Sequence, residues 1–264
     1  MTLSTIRNNP AKQKKVKTKK QKAIAATCAV AFWLLVWHVV SLCVGSELVL
    51  VSPVKVVQTL FTVIFDPDFL KTVWYSAARI LGGFFIALTL GTVLGWVASR
   101  FWVVETLLRP ITAVIKATPV ASFIILVLLW FSGKNLSVII SMLMVFPVIY
   151  MNVLEGIRSA DEKLLEMAQV FRLPRGKRLK YIAVPSVAPH FRAACTSALG
   201  FGWKSGVAAE VLTVPRDSVG RMIYESKLYL QTTDLFAWTA AVILISLCLE
   251  RIVMRLAAGR GKNA

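Results

Sequence analysis

Three charged side chains lie within one long apolar run of this sequence, where a charge is unusual, and the first of them, Arg192, is near the start of the run. Lys204 lies well inside the run 187–212, and Glu210 lies near its end. In a membrane, charged residues are costly and usually face a cavity or a partner. We predict that Lys204 faces a pathway and attracts an anionic or polar molecule, and a structural ion pair with another helix is the alternative. Glu210 is a second candidate pathway residue.

Small residues recur every four positions in two of the apolar runs. They are Ala87, Gly91 and Gly95 in one run and Ala194, Ala198, Gly202 and Gly206 in the other. Such stripes let helices approach each other closely in lipid. Static packing and a moving surface that lines a pathway both remain open for these stripes. Gly202 and Gly206 are the candidate pathway positions beside Lys204.

A charged segment, residues 155–186, separates two apolar runs and has the pattern of a docking element. Its apolar residues at helical spacing are Leu164, Leu165, Ala168 and Phe171. Its acidic residues on the polar side are Asp161, Glu162 and Glu166. Leu173-Pro174 should end this helix, and a basic second part follows it. A helix-turn-helix of this kind suits docking in a groove of a partner protein, and a plain basic loop is the alternative.

Residues for catalysis or metal binding are scarce. The sequence contains two histidines, His38 and His190, and four cysteines that lack metal-ligand spacing. It also lacks the G-x-x-x-x-G-K-[ST] loop that cradles nucleotide phosphates. We therefore expect no enzyme activity and no cofactor bound by this chain.

The composition is that of a protein with several membrane spans. The chain has 264 residues, is 57% hydrophobic and has a mean hydropathy of +0.69, which is too apolar for an ordinary soluble domain. Its net charge of +18 would suit nucleic acid in a soluble protein. Because the positive residues cluster between apolar runs, we expect no nucleic-acid partner.

Six apolar runs approach the roughly 20 helical residues that a bilayer core requires. They are residues 23–44, 77–98, 111–131, 136–154, 187–212 and 235–256. Lys116 and Pro119 interrupt the third run, and Pro147 predicts a kink in the fourth. We expect 23–44 to be a retained first helix, because it is longer than the apolar part of a signal peptide.

The distribution of positive residues predicts the orientation of these spans. It places the basic tail 1–22, the segment 155–186 and the tail 257–264 in the cytoplasm, and the segment 45–76 outside. The predicted fold is therefore an all-α membrane protein with about six transmembrane helices and cytoplasmic termini. Five of the helices belong to a core at residues 77–256.

The segment from Glu166 to Pro185 resembles the cytoplasmic coupling loop of type I ABC importer permeases. In that loop Glu-Ala-Ala leads at fixed spacing to Ile-x-Leu-Pro. The matching positions, with Val184 where Leu is usual, are Glu166, Ala168, Ile182 and Pro185. Further stretches are similar to the nitrate/sulfonate/taurine branch of binding-protein-dependent importer permeases. They are Ser52-Pro53 with Val56, 74–95, 109–119, 203–210 and 218–220.

This resemblance implies the transmembrane permease subunit of an ATP-driven importer in a bacterial plasma membrane. The implied partners are cytoplasmic ABC ATPase subunits that bind ATP and magnesium, an external solute-binding protein, a second permease copy and membrane lipid. The residues implied in coupling to the ATPase are Glu166, Ala168, Phe171, Arg172, Gly176, Ile182 and Pro185. Arg172 stands where the family has Gly, which adopts left-handed backbone cheaply. We therefore predict that the turn uses Pro174 and Gly176 instead.

The implied solute is small and anionic or polar, such as nitrate, an alkanesulfonate, taurine or a thiamine-precursor-like molecule. A stand-alone secondary transporter or channel is the alternative function. It would require coupling-ion sites such as paired intramembrane acids, whereas Glu210 and Glu250 are isolated in the sequence.

Overall fold

The computed structural model describes residues 19–131 and 133–259, and its regular elements within these ranges are helical. The helices are α1 Lys19–Val44, α2 Pro53–Ile64, α3 Phe69–Arg100, α4 Trp102–Ala117, α5 Val120–Leu128, α6 Gly133–Arg158, α7 Glu162–Val170, α8 Arg175–Arg178, α9 Val184–Thr213, α10 Val219–Leu228 and α11 Thr232–Gly259. A π-helical turn, Leu179–Ala183, joins α8 to α9. The predicted all-α fold is confirmed. Of the two predicted tails, residues 1–18 and 260–264 lie outside the described residues.

Helices α3, α6 and α9 pack along much of their length and form the centre of the molecule. These helices approach each other closely because the small-residue stripes of α3 and α9 lie at the surfaces where the helices meet. A Cβ atom added to Gly91 would lie 3.0 Å from Ile149 of α6, and one added to Gly206 would lie 2.6 Å from Ile80 of α3. Both stripes are therefore positions of helix contact, as small residues allow in membranes.

The predicted third span is broken. Instead of one helix over 111–131, the chain forms α4 and α5, which meet at an angle of 106°. The break follows from proline sterics, because Thr118 precedes Pro119 and is extended, with φ −82° and ψ 130°. By contrast, α6 continues through Pro147.

By length and composition, the described residues contain four helices able to cross a membrane, or five if the bent α4–α5 pair counts as one span. The four are in α1, α3, α6 and α11. The predicted fifth span lies in α9, which is 30 residues long. It is absent from this set because Arg192, Lys204 and its many small residues lower its hydropathy.

The segment 45–76, predicted as a loop with short helices, contains α2 and the first turns of α3. The helix that contains the predicted second span therefore begins before residue 77, at Phe69. Val63 of α2 and Phe69 of α3 pack against Trp238 of α11 and Val219 of α10. Through this cluster, α2, α3 and α11 pack around the start of α10 at one end of the molecule.

Candidate functional site

The segment predicted to dock on a partner forms a helix, a turn and a second helical arm, and we call residues 161–185 the docking loop. Its first helix, α7, begins after Asp161, whose carboxylate accepts a hydrogen bond of 2.9 Å from the backbone N–H of Lys163. Ala168 is buried, whereas Phe171 is 72% exposed. The predicted single apolar stripe is thus divided, with Ala168 against the protein and Phe171 facing outward.

The turn of the docking loop is built on Arg172, which was predicted to be unsuited to it. Arg172 has a φ of 47°, in the left-handed region. The N–H of Leu173 donates to the carbonyl of Ala168 at 2.9 Å, and that of Arg172 donates to Gln169 at 3.0 Å. These two bonds form the Schellman motif that closes many helices. Gly176 lies within α8, so the prediction of a turn at Pro174 and Gly176 is wrong.

The second arm of the docking loop runs directly into the central helix α9. Ile182 is buried in the π-helical turn, and its carbonyl accepts a hydrogen bond of 2.8 Å from Ser186. Pro185 lies in the first turn of α9, directly after the π-helical turn, and has no backbone N–H to donate. The exposed apolar side chains of the docking loop include Met167, Val170, Phe171, Leu179, Tyr181 and Val184. Glu166 is also exposed.

A cavity of about 520 Å³ lies at the bend between α4 and α5, against α6 and α9. Lys204 of α9 lines it, together with Lys116 from the last turn of α4. Neither lysine has an ion-pair partner in the described part of the chain. The structural ion pair considered for Lys204 is therefore not found there. From the sequence, Lys116 was predicted only to interrupt the third apolar run.

Two further cavities continue this one along α4 and α6. The second, of about 390 Å³, shares Lys116 with the first. The third, of about 680 Å³, shares Arg109, Thr112 and Met151 with the second. Arg158 of α6 pairs with Glu105 of α4 in the third cavity. We call the three adjoining cavities the cationic groove.

Glu210 lines none of the cavities of the cationic groove and is instead fully buried between α9, α3 and α10. Its carboxylate accepts a 2.6 Å hydrogen bond from the Ser76 hydroxyl and a 3.2 Å hydrogen bond from Nε of Arg79. Arg79 also forms a salt bridge of 3.2 Å with it. Glu210 is isolated in the sequence, and its cationic partner in the structure lies 131 residues earlier in the chain.

The start of α10 closes over Glu210 and completes a buried clamp. The N–H of Gly220 donates to the carboxylate at 3.4 Å, and the N–H of Val219 donates to Ser76 at 2.9 Å. A Cβ atom on Gly220 would lie 2.3 Å from Cβ of Glu210, so this position requires glycine. We call Ser76, Arg79, Glu210 and Gly220 the buried clamp. Pathway roles for Glu210, Gly202 and Gly206 stay predictions.

Sequence reasoning missed Lys116 in the groove and Ser76 and Arg79 in the clamp. A signal for Lys116 was present, because it lies in an apolar run two residues before Thr118-Pro119, where the proline disfavours helical backbone at the residue before it. Arg79 also lies in an apolar stretch, but nothing local indicates its partner.

The family and the relatives that this sequence resembles are described as membrane or permease components of transport systems. Residues 87–259 match the family described as "Binding-protein-dependent transport system inner membrane component". The taurine transport system permease protein TauC of Escherichia coli is 27% identical over 220 residues, which cover 81% of this chain and 80% of that protein. A putative aliphatic sulfonates transport permease protein, SsuC of Bacillus subtilis, is 29% identical, over 77% of this chain and 74% of its own. The nitrate import permease protein NrtB of Synechocystis is 23% identical, over 88% and 87%.

Proposed function

This chain belongs to the family of binding-protein-dependent transport system inner membrane components, and we propose that it carries a small anion through its cationic groove. It is a permease component of an ABC importer and a multi-pass protein of the plasma membrane. In this proposal the docking loop transmits movement from an ATPase to the helices that line the groove.

The observation that carries the coupling role is the position of the docking loop between α6 and α9. These two helices pack on each other and on α3 in the centre of the molecule. A partner that binds the exposed face of α7 and moves this helix therefore displaces α6 and α9 together. Rigid-body movements of this kind open and close transport pathways.

The proposed partners follow from the family, whose members work in general with an ATPase and a solute-binding protein. We propose that separate cytoplasmic subunits bind ATP and magnesium and hydrolyse the nucleotide. An external binding protein would deliver the solute, and a second permease copy would complete the pathway in the lipid bilayer. In the cycle, ATP-driven closure brings the two docking loops together and opens the pathway outward, and hydrolysis reverses the change.

The proposed solute class rests on two independent supports. According to their names, the relatives transport taurine, aliphatic sulfonates and nitrate. Each of these solutes carries a negatively charged group. Lys204 and Lys116 share one cavity and have no carboxylate partner among the described residues. Positively charged side chains in a cleft raise the local concentration of anions.

A pull-down of the detergent-solubilised chain tests the coupling role. The variant Glu166→Ala with Ala168→Arg changes one exposed and one buried position of α7, and we expect it to lose the ATPase that co-purifies with the wild type. Mass spectrometry identifies the co-purifying proteins.

Glu162→Ala is the matched control, because Glu162 is also an exposed acid of α7 but lies outside the matched motif. It should retain the ATPase. A wild-type chain that is stable in detergent and brings down no ATPase would contradict the proposal and favour a stand-alone transporter.

A further inference from the structure

Apart from Arg158, which pairs with Glu105, three cationic side chains line the cationic groove in succession. Lys204 and Lys116 share the first cavity, Lys116 and Arg109 share the second, and Arg109 also lines the third. None of them has an ion-pair partner within residues 19–131 and 133–259. The recorded polar contact of Lys116 is a weak one, 4.0 Å from Nζ to Sδ of Met151. All three side chains are exposed, and Lys204 and Lys116 lie within predicted spans, where an unpaired charge is expensive and indicates a functional position.

The two residues on α4 are placed to act in sequence. Arg109, Thr112 and Lys116 are separated by three and four positions, which puts them on one face of the helix. With a rise of 1.5 Å per residue, Arg109 and Lys116 lie about 10 Å apart along the helix axis. An anion that leaves Lys116 therefore meets Arg109 before it reaches the end of the groove.

The break between α4 and α5 places the start of helix α5 at the first cavity. Helix α5 begins at Val120, which lines that cavity, and Pro119 before it supplies no side-chain cap. The first N–H groups of a helix lack intrahelical partners, and the positive end of the helix dipole favours anions. Broken helices bind anionic groups in this manner in other transporters.

The far end of the groove holds an anion less strongly. There Arg158 is neutralised by its ion pair with Glu105, and Glu155 also lines the cavity. The positive potential therefore falls from the α4–α5 bend toward the end beside the docking loop, because the carboxylates offset the guanidinium groups. A solute that crosses this gradient is released instead of trapped.

We propose that Lys204, Lys116 and Arg109 form a cationic track, which passes a small anion from the α4–α5 bend to the end of the groove beside the docking loop. This inference rests on the proposed function and adds Lys116 and Arg109 as the residues that select solutes by charge.

Thiol modification in the assembled importer tests the track with a probe that is itself a small sulfonate. A single cysteine is introduced at Ala208, in the first cavity, or at Ala113, in the second. The four native cysteines are replaced by serine. The rate of reaction with sulfonatoethyl methanethiosulfonate, an anion, is divided by the rate with trimethylammonioethyl methanethiosulfonate, a cation. Relative to a free thiol, we expect this ratio to be at least about tenfold higher at both positions.

Charge removal should act locally. Lys204→Gln should lower the ratio mainly at the Ala208 reporter, and Arg109→Gln mainly at the Ala113 reporter. Lys116→Gln should lower both, and Lys116→Arg should restore them. Lys227→Gln is the matched control, because Lys227 is also an exposed lysine in the last turn of its helix, and it should change neither ratio.

A ratio equal to that of a free thiol at both reporters would overturn the track, and so would a ratio that Lys116→Gln leaves unchanged. The same preparations are analysed for the co-purifying ATPase. If the ATPase is present while the ratio is that of a free thiol, the track fails and the importer function stands. Absence of the ATPase from the wild type would count against the importer function, whatever the thiol ratio.

Discussion

Removing one partner of the buried clamp should destabilise the protein unequally. Glu210 is fully buried, whereas the side chain of Arg79 is 19% exposed and also donates a 2.9 Å hydrogen bond to the carbonyl of Asp217. Arg79→Met therefore leaves a buried carboxylate without its cation, and we expect a loss of about 3–5 kcal/mol in unfolding free energy. Glu210→Gln leaves a guanidinium that keeps a carbonyl and some solvent, and we expect a loss of about 2 kcal/mol.

The double variant tests whether the two residues act as a pair. With both charges absent, the buried site contains no uncompensated ion, so the double variant should be less destabilised than the sum of the single variants. We expect a coupling energy of about 2 kcal/mol, within the range seen for residues of one network. Equilibrium unfolding in mixed micelles of neutral detergent and SDS, followed by tryptophan fluorescence, measures these differences in unfolding free energy.

The pair Arg221–Glu225 is the internal control for this measurement. It lies within α10 at i, i+4 spacing, and its side chains are 37% and 30% exposed. Such pairs contribute only about 0.3–0.5 kcal/mol, so Arg221→Met should have little effect. The reasoning is refuted if Arg79→Met costs no more than Arg221→Met, or if Glu210→Gln costs more than Arg79→Met.

Three further substitutions have expected outcomes. Arg172→Gly should raise the unfolding free energy by about 1 kcal/mol in the same micelle assay, because glycine adopts the left-handed backbone of this turn without strain; a loss of stability would contradict this. Gly220→Ala should reduce the yield of folded protein on size-exclusion chromatography, because its Cβ would lie 2.3 Å from Glu210, whereas Gly82→Ala, which meets no atom within 4 Å, should be tolerated; equal yields would refute the close contact. Lys204→Gln should raise the KM for uptake in proteoliposomes that contain the complete importer, measured with labelled taurine, an alkanesulfonate and nitrate. An unchanged KM for every solute that the wild type transports would contradict a role for this charge.

The sequence alone was sufficient for features that depend on neighbouring residues. Hydropathy is a sum over a short stretch of chain, so the apolar spans in α1, α3, α6 and α11 could be located from it. Proline acts on the residue before it and on its own N–H group. The end of α7 before Pro174 was therefore predictable, and so was an interruption near Pro119, although its sharp bend was not.

Only the tertiary structure decided which charges are paired and which are free. Glu210 meets Arg79 across 131 residues of chain, and Lys116 shares a cavity with Lys204 from a different helix. Both outcomes depend on how α3, α4 and α9 pack, and no local pattern encodes that packing. For the same reason Glu210 and Lys204, which lie six residues apart on one helix, have opposite surroundings.

The turn at Arg172 shows the limit of a local rule. Backbone preference alone argues against arginine in the left-handed region, at a cost of about 1–2 kcal/mol. The structure nevertheless places it there, because two hydrogen bonds close α7 and because Ala168 and Ile182 are buried on either side of the turn. Burial and hydrogen bonding across the loop therefore outweigh the preference of one residue, and only the folded chain supplies them.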